Sequence, residues 1–169
     1  SMFEAFVFDK RLDFDVKEVN QGILFENNEF QLEAYQLEHG IETLGFRFTE
    51  KDNRKVDMKK VQKLGVPSSP LIGKLQEGKS IEYKGKKIEP DDATYIEKGK
   101  SVAYITDTVL CDNCYKIAEN ADLLICEATY SSKLVDKSEA YGHMTAKQAA
   151  QLANKANAKQ LVLIHFSAR

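Results

Sequence analysis

No apolar run in this 169-residue sequence approaches the ~20 residues that a membrane span needs. No secretory signal is visible either, so neither a membrane protein nor an exported one is expected. Cysteine is scarce and odd in number, three in all. That argues against a disulfide framework and for a reducing, cytoplasmic setting. Repeats and low-complexity tracts are absent, and Ser1-Met2 is set aside from the fold reading. Histidine is rare as well: only His39, His143 and His165 occur.

What is present suits one globular domain. The length is enough for a real core, and 43% hydrophobic with 30% charged residues is ordinary for a soluble protein. The charge is uneven. From Lys51 to Lys87 there are eleven Lys/Arg against four Asp/Glu, or +7, so the rest of the chain sums to −9 within a net −2. A basic block inside an acidic chain is either a polyanion-binding surface or a solvated lysine-rich arm.

The residue pattern divides the chain. Ile23-Leu24-Phe25, the turn residues Asn27-Asn28 and the stretch from Phe30 to Leu37 predict a hairpin. Leu44 to Phe48 predicts a further strand. Within the basic block, a short helix is expected over Asp57 to Leu64 with Val61 and Leu64 on one face. A rigid turn should follow over Pro67 to Pro70, then a small hairpin around Lys84-Gly85. After Gly99, strands at Val102 to Ile105, Leu123 to Cys126 and Leu161 to Ile164 alternate with helices at Cys111 to Asn120 and Ala146 to Ala156. Continuous apolar strands between helices predict parallel pairing. Thr145 and Gln148 form a capping box for the last helix.

Each of these three strands runs into a polar residue: Asp107, Glu127 and His165. Open α/β sheets carry their sites beyond the carboxyl ends of their strands. Two carboxylates and an imidazole delivered to one edge therefore point to a site there, although each alone could be a cap or a turn former. His39 follows a strand and precedes Gly40, while His143 follows Gly142 just before a helix. Histidine and aspartate are natural ligands for a borderline divalent ion such as zinc, and an aspartate can bridge two ions.

Several segments resemble ribonuclease Z, the tRNA 3′-processing endonucleases of the metallo-β-lactamase superfamily. Leu37-Glu38-His39-Gly40 with Gly45-Phe46-Arg47 is similar to the family's ligand histidine before a Gly-Tyr/Phe-Arg strand. Thr106-Asp107-Thr108 resembles Gly-Asp-Thr, Cys126-Glu127-Ala128-Thr129 resembles His-Glu-Ala-Thr, and His143-Met144-Thr145 resembles His-Ser-Thr. His165-Phe166-Ser167-Ala168-Arg169 resembles the final His-x-Ser-x-Arg. The stretch Leu64-Gly65-Val66-Pro67 through Pro70, Lys74-Leu75 and Gly78 is similar to the family's tRNA-gripping arm. The match runs in order from about Val19 to Arg169.

The resemblance implies a metallo-β-lactamase α/β fold (an αββα sandwich), mainly its C-terminal half. It would be a partial domain over residues 3–169, with a protruding basic arm over 51–90. His39, Asp107 and His165 would hold zinc, two ions in the complete family site, and His143 with Glu127 would form a proton-transferring dyad. Lys59, Lys60, Lys63, Lys74, Lys79 and Arg169 would contact RNA. The implied activity is cleavage of the 3′ trailer from precursor tRNA, leaving a 3′-hydroxyl, by a cytoplasmic homodimer. The family's first motif, His-x-His-x-Asp-His, occurs nowhere in these 169 residues, so little nuclease activity is expected of this chain alone. Two rivals are another phosphodiesterase or esterase of the same fold and a non-catalytic tRNA-binding or dimerisation fragment. Cys111-Asp-Asn-Cys114 could hold zinc or exchange disulfides. Without a second such pair it is expected to be two partly buried thiols on a first helical turn.

Overall fold

The computed structural model describes residues 16–167. The N-terminal hairpin pairs β1 (Gly22–Glu26) with β2 (Phe30–His39), antiparallel. Asn27 fastens its turn, accepting at Oδ1 from the N–H groups of Glu29 and Phe30 at 2.8 Å each, the local bond that makes asparagine a turn residue. Gly40, at φ +64°, then reverses the chain in one residue, a conformation open to glycine for want of a Cβ. As a result β3 (Ile41–Glu50) pairs with β2 along its whole length, from His39 opposite Ile41 to Phe30 opposite Glu50. This strand is longer than the five residues legible in the sequence because the hairpin closes so tightly.

The chain next leaves the sheet and builds a lobe. It comprises β4 (Asn53–Val56), α1 (Met58–Lys63), α2 (Pro70–Gln76), β5 (Ile81–Tyr83), β6 (Lys86–Ile88), α3 (Pro90–Ala93) and β7 (Thr94–Glu97). Strands β4 and β7 pair at its base, and β5 with β6 forms the expected small hairpin. Asp57 caps α1 by accepting from the N–H groups of Lys59 and Lys60. Val61 is buried as expected, but Leu64 is left exposed at the C-cap, and Val66 and Leu75 fill the space instead. The expected rigid turn stops at Ser69, since Pro70 opens α2; at a first helical position its missing N–H is no loss. The lobe has its own small core of Val61, Val66, Leu75, Ile81, Ile88 and Ala93, separate from that of the sheet.

The remaining elements are β8 (Ser101–Ile105), α4 (Asp112–Ala118), β9 (Leu123–Glu127), α5 (Val135–Ala140), α6 (Ala146–Lys155) and β10 (Leu161–Ile164). The six-stranded sheet has the order β1-β2-β3-β8-β9-β10, with β8, β9 and β10 parallel as the apolar runs predicted. Strand β3 is antiparallel to both β2 and β8. Strand β2 therefore runs in the same direction as the parallel trio, and four carboxyl ends finish at one edge. One face of the sheet buries Leu37, Ala103, Ile105, Leu124 and Cys126 against Cys114, Ile117, Ala149 and Leu152 from α4 and α6. On the other face, Phe46, Tyr104, Ile125 and Val162 stand in a row across four strands. Tyr104 and Val162 of that row are exposed.

Candidate metal centre

Each side chain at this edge is delivered by the end of an element. His39 is the last residue of β2, and Glu127 the last of β9. Asp107 comes two residues after β8, and His165 directly after β10. Both Asp107 and His165 are left-handed, at φ +52° and +58°. Strained backbone of this kind gathers where a site must be held in shape. His143 stands two residues before Thr145, the N-cap of α6, and the predicted capping box fixes the start of that helix. Thr145 Oγ1 accepts from Gln148 N, and Gln148 Oε1 accepts from Thr145 N.

These residues converge. His39, Asp107 and His143 each offer one ligand atom, and the three atoms lie within 4.8 Å of one another. His165 joins through Asp107, its Nε2 3.0 Å from Asp107 Oδ1. The histidine rings sit close together, with centroids 4.8 Å apart for His39 and His143 and 5.3 Å for His143 and His165. The triple that closes on one point thus contains His143, where the sequence expectation had His165.

The imidazoles are oriented from behind. His39 Nδ1 lies 2.8 Å from the Gly142 carbonyl, which can only accept, so Nδ1 is the donor and Nε2 is the ring nitrogen left for another partner. His143 Nδ1 lies 3.2 Å from Glu127 Oε1, which fixes its ring the same way. Glu127 is fully buried and saturated: Oε1 also accepts from Thr108 N at 2.6 Å. Its Oε2 accepts from Thr129 Oγ1 at 2.7 Å and Met144 N at 3.0 Å. It is a buried anchor for three loops, and its lone pairs are already committed. Thr108, itself buried, ties the end of β2 to the same hub, since its Oγ1 accepts from Glu38 N at 3.1 Å. Thr108, Thr129 and Gly142 were not among the residues singled out from the sequence. Thr108 and Thr129 carried a signal there only as members of the Gly-Asp-Thr-like and His-Glu-Ala-Thr-like segments.

The Gly-Phe-Arg strand beside His39 has a structural role. A Cβ on Gly45 would lie 2.7 Å from Ile117 Cδ1, so the missing side chain lets α4 settle on the sheet. Arg47 Nη1 donates to the carbonyls of Ile117 and Glu119 at 2.6 and 2.8 Å, satisfying the C-terminal end of that helix. Imidazole and carboxylate donors facing one point fit a borderline divalent cation. Of the expected RNA contacts, Lys59, Lys60 and Lys63 lie on α1, Lys74 on α2 and Lys79 just beyond it. All are on the lobe rather than at the sheet edge, and Arg169 lies outside the described residues.

A family model described as a beta-lactamase superfamily domain matches residues 92–166, the span that holds Asp107, Glu127, His143 and His165. Ribonuclease Z of Protochlamydia amoebophila is 44% identical over 148 residues, covering 88% of this chain and 48% of the relative. Ribonuclease Z of Archaeoglobus fulgidus is 38% identical over 100% of this chain and 56% of its own length. Among solved structures, the human short-form tRNase Z superposes with a TM-score of 0.55 at 27% identity, over 89% of this chain and 41% of that one. The chain carries a metallo-β-lactamase-type fold and is similar to ribonuclease Z over most of its length. It spans about half the length of the curated relatives it matches. A metallo-β-lactamase-fold protein from Bacillus subtilis, at 17% identity and a TM-score of 0.51, shares the fold alone.

Proposed function

We propose that this chain supplies part of the active centre of a zinc-dependent phosphodiesterase that removes the 3′ trailer from precursor tRNA. The observation that carries this reading is the convergence of His39, Asp107 and His143, with His165 on Asp107, at one sheet edge. Similarity to ribonuclease Z over most of the chain supports the substrate class. His39, Asp107 and His165 would hold the metal. A bound divalent ion supplies charge neutralisation and Lewis acidity at the phosphate. His143, held at Nδ1 by buried Glu127, presents Nε2 to the site, where an imidazole, whose ordinary titration range lies near neutrality, can hand a proton to the leaving oxygen. Glu127 is a positioning residue, because its oxygens accept from His143, the Thr129 hydroxyl and two backbone N–H groups rather than facing the open edge.

The lobe of residues 53–97 is the proposed tRNA-gripping arm. Lysines on such a surface give salt-sensitive, largely sequence-independent affinity for phosphates. Lys59, Lys63 and Lys74 form no ion pair among the described residues, which leaves them open to RNA. Lys79 is engaged by Glu77 at 2.7 Å, and Lys60 Nζ donates to the carbonyls of Asp91 and Thr94. A homodimer, in which the arm of one copy serves the other, and a cytoplasmic location complete the reading. No helix among the described residues is long and apolar enough to cross a membrane.

The test is cleavage of labelled precursor tRNA. The chain alone should bind but scarcely cut, for want of the His-x-His-x-Asp-His ligands. Fused to the part of the Protochlamydia amoebophila enzyme that it does not cover, it should release a trailer and leave a 3′-hydroxyl. The His143→Ala version of that fusion should bind without cutting. A fusion that hydrolyses only a small chromogenic phosphodiester would replace this reading with that of another hydrolase of the same fold.

A further inference from the structure

Two thiols near the metal centre have no part in the proposed hydrolysis. Cys111 is the N-cap of α4, and its Sγ lies 3.5 Å from that of Cys114 one turn on. Both residues are buried, Cys111 at 9% exposure and Cys114 at 0%. Cys111 thus lies nearer to solvent, and Cys114 is reached only after it. Such an order distinguishes an attacking thiol from a resolving one.

We propose that Cys111 and Cys114 form a reversible thiol–disulfide couple that exchanges with small-molecule disulfides. Closing the bond requires the sulfurs to approach to ~2.05 Å, which is about 1.5 Å of travel from the 3.5 Å seen here. The local electrostatics favour the same order of events. A hydrogen bond from the Cys114 thiol, helped by the N–H groups of Cys114 and Asn113, holds the Cys111 thiol down to about 6. The same bond, and then burial, push Cys114 well above the ordinary thiol range. Cys126 on β9 is pushed up to about 12 by burial and by the Glu127 carboxylate, and stays a thiol.

In the exchange, the Cys111 thiolate attacks one sulfur of a disulfide RSSR, the S–S bond breaks, and RS⁻ leaves and takes up a proton. Cys114 then gives up its proton and attacks the Cys111 sulfur of the mixed disulfide, expelling the second RS⁻, which is protonated in turn. Two protein thiols are oxidised to one disulfide, and one RSSR is reduced to two RSH. The two thiols stand buried on the first turn of α4, where the sequence led them to be expected.

The experiment equilibrates the 169-residue chain in glutathione buffers running from fully reduced to fully oxidised, quenches with acid, alkylates under denaturing conditions and measures intact and peptide masses. At the oxidised end the chain should be two hydrogens lighter, take up one alkyl group at Cys126, and return to three alkyl groups in reduced glutathione. Cys114→Ser should stop at a glutathione adduct on Cys111. Three alkyl groups at every ratio would overturn the proposal, and so would a disulfide that involves Cys126 or a second chain. The wild-type titration decides even if the variant fails to fold, and neither outcome depends on nuclease activity.

Discussion

Glu127 carries four donors on two oxygens while fully buried, so it tolerates little change. Glu127→Gln would set an NH₂ against groups that already donate. Urea unfolding should show a loss of about 1–3 kcal/mol, the usual result of leaving a buried polar group without its partner. An unchanged midpoint would contradict its role as a hub. Gly142 is equally specific: at φ +75°, a Cβ there would lie 2.7 Å from His39 Nδ1. Gly142→Ala should therefore displace His39 and weaken divalent-ion binding about 10–100-fold, as loss of a ligand's supporting bond commonly does, in competition with a metal-sensitive dye. Alkylation of Cys111 by iodoacetamide should persist at neutral pH and fall to half at pH about 6, because the reactive thiolate is the form present above that value. The sequence singled out His39, Asp107, Glu127 and His165 because rare or charged residues stood at strand ends, and His143 because it preceded a capped helix. It could not show what Thr129 and Gly142 do, since they are common residue types whose role depends on a distance of about 3 Å to a partner 2 or 103 positions away.

Among the elements, the parallel trio β8, β9 and β10 was legible because strands covered by helices lose the polar alternation and become continuous apolar runs. Helix α6 was legible through its capping box. Thr145→Ala removes the bond to Gln148 N and should lower stability by about 0.5–2 kcal/mol, read as a reduced urea midpoint with an unchanged slope. The short elements escaped. Helix α5 starts at Val135 after Leu134, with no side-chain cap, so no start signal precedes it. Helix α2 opens on Pro70, a residue that equally suits the turn first expected there. The clash awaiting a Cβ on Gly45 and the bonds from Arg47 to α4 show that a segment resembling a catalytic family's motif can owe its residues to packing alone.

At the scale of the molecule, charge and chemistry are divided between two cores: the lobe carries Lys59, Lys63 and Lys74, which form no ion pair among the described residues, and the sheet edge carries the ligand cluster. Replacing Lys59, Lys63 and Lys74 together with Ala should weaken tRNA binding and flatten its dependence on salt, with the slope falling by about 0.7–0.9 for each phosphate that is no longer neutralised. Zinc binding should be untouched, and fluorescence anisotropy at graded salt would measure the first effect. The row of Phe46, Tyr104, Ile125 and Val162 needed the strand register to be seen. The chain also offers two competing kinds of metal donor: nitrogen and oxygen at the sheet edge, and sulfur at Cys111 and Cys114. X-ray absorption at the zinc edge separates them. A first shell of nitrogen and oxygen at about 2.0–2.2 Å is expected, with imidazole back-scattering that diminishes in His39→Ala and an oxygen contribution that falls in Asp107→Ala; a shell of sulfur at about 2.3 Å, indifferent to both substitutions, would contradict a metal centre at the sheet edge.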